Sequence, residues 1–483
     1  MLDKKINQII EKVNQINNYS SDITNRTIKV KGKEIGYIFL ESTASDEKIG
    51  NIILENINLS KIHIYTNIYN YLKNNLKGAK INEITTYDDL FYHLASGYLC
   101  ILTNNTKKII AIETKANLDR SISESTTESV VRGSKDAFNE NYNANIGLIR
   151  KRLKDSNLII AEQKVGKRTK TKIGVMYLQD VAKIDNVNKI INKIKTIDID
   201  GILDSGYIRD YLIKDTKSVF PLVVSTEKPD LVASTLLEGK IAILVENSPF
   251  MIILPATLMD FFHPTEDNYQ KAINVSFSKV IRLIAFILTI VTPAIYIAIT
   301  TYNVQVIPNE LLTSISIQRE GVPFTTAFEV LILLLTFEIL RESDVRLPET
   351  LGNSISIVGV LVLGDAAVSA GIVSPIVIIV IGLTCITSLL FTDIDMVNAY
   401  RYWRLLFMAF AMIMGIYGFM IALFIFIIKL SSLESLDIPY LYPFVDNDKN
   451  IFSTLFQLPR TKSIKRSKKL SKNYYRSGDH NEN

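Results

Sequence analysis

The chain is poor in the residues that most often carry chemistry. It has two cysteines, Cys100 and Cys385, one tryptophan, and four histidines, His63, His93, His263 and His480. Two isolated cysteines, one in an expected strand and one in an expected apolar helix, exclude a disulfide framework and a cysteine zinc site. The histidines are too scattered to share a metal. No G-x-x-x-x-G-K-[ST], H-E-x-x-H, C-x-x-C or G-x-S-x-G pattern occurs, and each of those patterns is needed for a specific phosphate, zinc, thiol or serine chemistry. Aromatic and basic residues are not interleaved as in an RNA-binding surface. These absences argue against an enzyme, a cofactor, a metal and a nucleic-acid partner. The first residues, MLDKKINQIIEKVNQ, lack the apolar core of a secretory signal, so the first segment is expected to stay in the cytoplasm.

What the chain does have is a change of solvent. Up to about residue 277 it is charged and rich in Asn and Lys; from 278 to 430 it is mostly apolar. The net charge of +5 is concentrated at the end, where the last 24 residues hold eight Lys or Arg against two acids. Such a tail (431–483) suits anionic membrane lipids.

The first part reads as a repeat. Ile35–Leu40 and Ile173–Leu178 are matched short strands, each with a glycine at its second position. Asp89-Leu90 leads to Gly97, Ile101-Leu102 and Asn105, and Asp230-Leu231 leads to Gly239, Ile243-Leu244 and Asn247. The spacing from each Gly to its Asn is the same, with an Asn turn between two apolar runs marking a hairpin. This predicts two α/β subdomains, 1–120 and 156–277, each a mixed sheet with packed helices. Between them, 121–155 is expected to be a polar linker followed by a helix whose Arg150, Lys151, Arg152 and Lys154 form either a solvated face or a phosphate-facing one.

Five apolar runs follow: Val280–Thr301, Phe324–Leu340, Ile355–Ser374, Pro375–Phe391 and Leu405–Leu430. Each approaches the ~20 residues needed to cross a bilayer. This is an all-α polytopic membrane domain of four to five spans. Five crossings conflict with a cytoplasmic first segment and a basic tail on the same side. An interfacial or re-entrant last run resolves the conflict, as does a Phe324–Leu340 run that does not fully cross with two other assignments shifted, or a tail on the other side. Glu329, Glu338, Arg341 and Asp365 lie within or beside these runs, where an ionisable group costs about 2.5–3.5 kcal/mol and marks a functional candidate. Glu338 and Arg341 are spaced to pair on one helical face. Val358, Val362, Asp365 and Ser369 share a face suited to lining a pore, beside a small-residue face of Gly359, Ala366 and Ala370 suited to close helix packing.

Several motifs in order then resemble one family. They are Arg132–Phe138 (RGSKDAF), Asn145–Arg150 (NIGLIR) with Arg152, Phe220-Pro221, Thr226–Asp230 (TEKPD), Leu237–Leu244 (LEGKIAIL), Arg319–Phe324 (REGVPF), Thr336–Glu342 (TFEILRE), and Arg346–Pro348 with Ser369–Pro375 (SAGIVSP). From about residue 30 to residue 445 the chain is similar to the A subunits of GerA-type spore germinant receptors, whose relatives include the spore stage V protein AF. The resemblance implies a multi-pass protein of the spore inner membrane with a two-part cytoplasmic region. It implies a homo-oligomer acting with a permease-like B subunit and a lipoprotein C subunit, and an ion channel that releases monovalent cations when the B subunit senses nutrient. The alternatives are a non-conducting scaffold for receptor assembly and the accessory stage V relative. Two departures stand out: Thr325 follows the Val-Pro-Phe motif where the family often has proline, and Lys429-Leu430 stands where a His-Leu pair is common.

Overall fold

The structure, a computed structural model, describes residues 2–30, 32–52, 67–76, 81–116, 128, 132–213, 215, 217–346, 364–445, 456–462 and 465–476. It opens with α1 (Ile6–Ile16), β1 (Ile23–Val30), β2 (Lys33–Leu40), α2 (Asp46–Asn51), α3 (Ile68–Asn75), β3 (Ile81–Ile84), α4 (Tyr87–Ala95), β4 (Tyr98–Thr103) and β5 (Ile109–Glu113). A second unit repeats the plan with α5 (Tyr142–Arg152), β6 (Leu158–Val165), β7 (Thr171–Leu178), α6 (Ile184–Lys195), α7 (Ser205–Leu212), β8 (Val224–Thr226), α8 (Pro229–Leu237), β9 (Ile241–Val245) and β10 (Met251–Leu254).

The two sheets have the same strand order, β1-β2-β4-β5-β3 and β6-β7-β9-β10-β8. Even the register agrees: Gly36 lies opposite Leu102, and Gly174 opposite Leu244. The sequence landmarks explain the local path. Gly97 and Gly239 end α4 and α8 at φ 81° and 94°, and Asn105 and Asn247 take φ 67° and 65° in the hairpin turns. Left-handed backbone of this kind suits Gly and Asn. Every described pairing is antiparallel. The expected mixed sheets are therefore corrected: hairpins build each sheet, and the long connection returns β3 or β8 to the far edge antiparallel to its neighbour. Both faces are covered, so the central strands are apolar on both sides. Cys100 and Leu102 pack with α1 and α4, while Leu99 and Ile101 pack on the opposite face.

An ion pair fastens the two units together. Arg150 Nε and Nη2 each donate to Asp22 at 3.0 Å, with both side chains 2% exposed. The Ser21 amide donates to the Ile160 carbonyl beside it. Arg150 is thus neither a solvated residue nor a phosphate ligand, and Arg152 is bound to Asp136.

The helical region contains α9 (Ala272–Thr301), α10 (Asn309–Arg319), α11 (Thr326–Arg346), α12 (Pro375–Ser388) and α13 (Ile394–Ser432). α9 and α13 are long and apolar enough to cross a membrane; α12 is apolar but shorter. α13 is not one straight rod. At Gly415 the backbone leaves the helical region, at φ 59° and ψ −136°. Trp403 and Phe426 then meet with ring centroids 4.9 Å apart; on a continuous helix they would stand about 35 Å apart. The element is an antiparallel hairpin with its turn at Gly415. That turn rests on the end of α9, where Tyr302 Oη donates to the Met412 carbonyl and the Ile416 amide donates to Asn303.

The chain then returns to the second sheet unit. β11 (Glu434–Ser435) and β12 (Ile438–Pro439) form a small ribbon. Further on, Ser471 bridges Ala182, the Lys472 amide donates to the Val181 carbonyl, and Arg466 Nε donates to the Leu237 carbonyl. Arg476 pairs with Glu238. Part of the tail's charge is thus spent on the protein itself and not on a lipid surface.

Candidate functional site within the apolar helices

Glu329 sits in the first turn of α11 with its side chain fully buried. Ser374, the N-cap of α12, donates to Glu329 Oε2 through its amide and its hydroxyl, both at 2.8 Å. A carboxylate there meets the positive end of the α12 dipole. Its other oxygen faces Arg319 Nη2 at 3.6 Å, beyond hydrogen-bond reach. Glu329 therefore joins the end of α10 and the starts of α11 and α12.

Glu338 and Arg341 do not pair with each other among the described residues, which corrects the expectation from their spacing. Glu338 turns instead to the first arm of α13. Arg404 Nη2 donates to Oε1 at 2.5 Å, and Arg401 Nε stands 2.8 Å from Oε2 at an angle that makes no hydrogen bond. The reason is burial: Arg404 is 1% exposed, and a buried guanidinium without a carboxylate is far costlier than a half-exposed one. Arg341 donates to Tyr400 Oη at 2.9 Å, and that hydroxyl donates to the Ser388 carbonyl. One polar cluster thus links α11, α12 and α13.

Residues 364–369 are helical, and Asp365, Ala366, Ser369 and Ala370 are exposed on the single chain. Among the described residues, Asp365, Ala366 and Ala370 are not covered by the rest of the protein. Val358, Gly359 and Val362 lie outside the described residues.

Some contacts between the helices and the second sheet unit were not legible in the sequence. The base of the α13 hairpin is clamped to the second sheet unit by two ion pairs, Arg209 to Asp395 at 2.6 Å and Lys429 to Asp215 at 2.7 Å. The hydrogen bond from Lys429 holds the Asp215 carboxyl below its ordinary value. Between the arms lies Phe220, with ring centroids 6.2 Å from Trp403 and 5.9 Å from Phe426. Arg282 near the start of α9 is bound twice by Asp267, at 2.7 and 3.1 Å. Burial alone would raise the Asp267 carboxyl, but His263 and Arg282 outweigh it and the pKa is lowered. Arg404 stands one residue before the Leu405–Leu430 run and carried no such signal in the sequence.

Residues 9–469 match the Bacillus/Clostridium GerA spore germination protein family. Spore germination protein KA of Bacillus subtilis (strain 168) is 34% identical over 461 residues, covering 94% of this chain and 84% of that protein. Spore germination protein XA of Bacillus anthracis is 34% identical over 78% of this chain and 77% of its own length. Spore germination protein GerLA of Bacillus cereus is 34% identical over 76% and 74%. Among solved structures, the N-terminal domain of the A subunit of the Bacillus megaterium spore germinant receptor GerK3 aligns at 26% identity over 53% of this chain and 97% of that domain, with a TM-score of 0.43. The family consists of spore germination proteins and not of enzymes. On a match that runs through nearly its whole length, this chain belongs to the GerA family of spore germination proteins.

Proposed function

We propose that the chain is the A subunit of a spore germinant receptor. Its helical region would be a multi-pass module of the spore inner membrane, assembled from several copies around a cation-conducting path. The tandem sheet units (1–120 and 156–277) and the tail (431–483) lie on the cytoplasmic side in this reading, and a B and a C subunit complete the receptor. Family membership along nearly the whole chain supports the receptor role.

The conducting role is carried by one observation. Glu329 and Glu338 are held by partners within the chain, whereas Asp365 is exposed on it. A carboxylate in an apolar helix avoids lipid by facing a watery path or another copy. A ring of such residues favours cations, with Ser369 one turn on; the sequence spacing of Val358 and Val362 is what proposes them for the same path. The exposed Ala366 and Ala370 suit close contact with a neighbouring copy. The hairpin and the docked tail support an even number of crossings, because the chain enters and leaves the helical region beside the same sheet unit.

Cation flux from vesicles reconstituted with the chain tests this reading. Asp365→Asn should lower flux or alter selectivity while the oligomer stays intact. Unchanged flux with an intact oligomer would favour a non-conducting scaffold.

A further inference from the structure

The cluster around Glu338 is short of negative charge. Arg401 and Arg404 share the Glu338 carboxylate, and Arg341 meets the same cluster through Tyr400. Arg341 has a neutral acceptor, the Tyr400 hydroxyl. Arg404 is almost fully buried, yet its Nε and Nη1 have no hydrogen-bond acceptor. Counting Glu342, one turn along α11, still leaves cations in excess among the described residues. One carboxylate does not balance three guanidinium charges, and such an excess at the edge of an apolar region is relieved by an added anion, so the arrangement suits an anion from outside the chain.

We propose that Arg341 and Arg401, with the charge of Arg404 behind them, hold the phosphate of an anionic phospholipid from the leaflet facing the sheet units. The inference rests on the membrane reading above. Guanidinium forks match a phosphate's oxygens in pairs, and basic pockets between membrane helices on the cytoplasmic side are a known setting for such headgroups. Depth favours a lipid over a dissolved anion. Asp395, at the start of this arm, is paired with Arg209 of the sheet unit, and Arg401 lies about 9 Å further along the helix. The next residue, Tyr402, is exposed and of a type that settles at a membrane–water boundary. Arg401 and Arg341 are only half-buried, so a headgroup reaches them from the side. The site is thus completed by the bilayer, and Glu338 orients the guanidinium groups from within.

The full-length chain, purified in detergent and placed in nanodiscs, tests this. Discs of phosphatidylcholine alone are compared with discs that also hold phosphatidylglycerol or cardiolipin, and bound lipid is counted by native mass spectrometry. The chain should retain anionic over zwitterionic lipid by about tenfold, which corresponds to about 1.4 kcal/mol. The variant carrying Arg341→Gln and Arg401→Gln keeps Arg404 and its buried pair for folding, and should lose that preference. Equal retention by both chains would overturn the site. Equal stabilisation by inorganic phosphate would overturn the lipid assignment. Stabilisation that follows protein concentration and ignores headgroup would mean that a second copy supplies the anion. Release of the chain from vesicles by alkaline carbonate would overturn the membrane reading itself, and the site with it.

Discussion

The rings of Trp403 and Phe426 meet edge to face, 4.9 Å between centroids, on two arms that the sequence joins as one apolar run. That contact turns what reads as a single long span into a hairpin. It also explains the two ion pairs at the hairpin's base. Both arms start and end beside α7 of the second sheet unit, and Phe220 from the segment after α7 fills the space between them.

The hairpin predicts a sharp steric limit at Gly418. A Cβ there would lie 2.0 Å from the Phe410 carbonyl oxygen on the facing arm. Gly418→Leu should lower the thermal unfolding midpoint of the detergent-purified chain, since overpacking costs about 1–3 kcal/mol. Tyr417→Ala, at an exposed neighbour, should leave the midpoint almost unchanged.

The bond between the sheet units predicts an asymmetry. Asp22→Ala alone leaves the Arg150 guanidinium buried without its carboxylate, a loss of about 3–5 kcal/mol. Asp22→Leu combined with Arg150→Met should recover most of that loss, because apolar replacement of both partners removes the desolvation cost. Chemical unfolding of the two variants beside the native chain checks the order.

At the junction the aromatic contact should outweigh the charges. Phe220→Ala empties a buried aromatic site and should cost about 3–5 kcal/mol. Lys429→Ala removes a half-exposed ion pair with Asp215 and should cost about 0–1 kcal/mol. Unfolding midpoints of the two variants decide between packing and charge as the main tie.

Legibility in the sequence followed distance along the chain. The repeat could be read because its signals are local: Gly97 and Gly239 end helices, and Asn105 and Asn247 turn hairpins at matched spacing. The location of acids in apolar runs could be read for the same reason. Partner choice could not. Glu338 had a plausible partner three residues away in Arg341, yet burial of Arg404 drew it across to another helix. Arg150 looked like a member of a basic surface cluster because Asp22 belongs to the other unit. The hairpin was hidden because two apolar arms and one continuous helix have the same composition; Gly415 was its only local sign.

Glu128 predicts a pH dependence. Burial raises its carboxyl to about 7, against the hydrogen bond from Thr226, and the Glu227 charge adds to the rise. A carboxyl whose folded pKa lies above its unfolded one contributes stability below the unfolded value, and that contribution is lost as pH rises through the folded value. The native chain should therefore lose stability relative to Glu128→Gln between about pH 5 and about pH 8. Parallel unfolding midpoints for the two chains over that window would contradict the assignment.

Sidedness tests the central claim, that the apolar helices form a membrane module entered and left beside the sheet units. Single substitutions Glu47→Cys, Gln305→Cys and Lys468→Cys place a thiol at exposed positions in the first unit, the far end of α9 and the tail. A membrane-impermeant maleimide is applied to sealed vesicles of known orientation, with Cys100 and Cys385 buried and silent. The account predicts that positions 47 and 468 label from one side and position 305 from the other. Labelling of all three from the same side would contradict it.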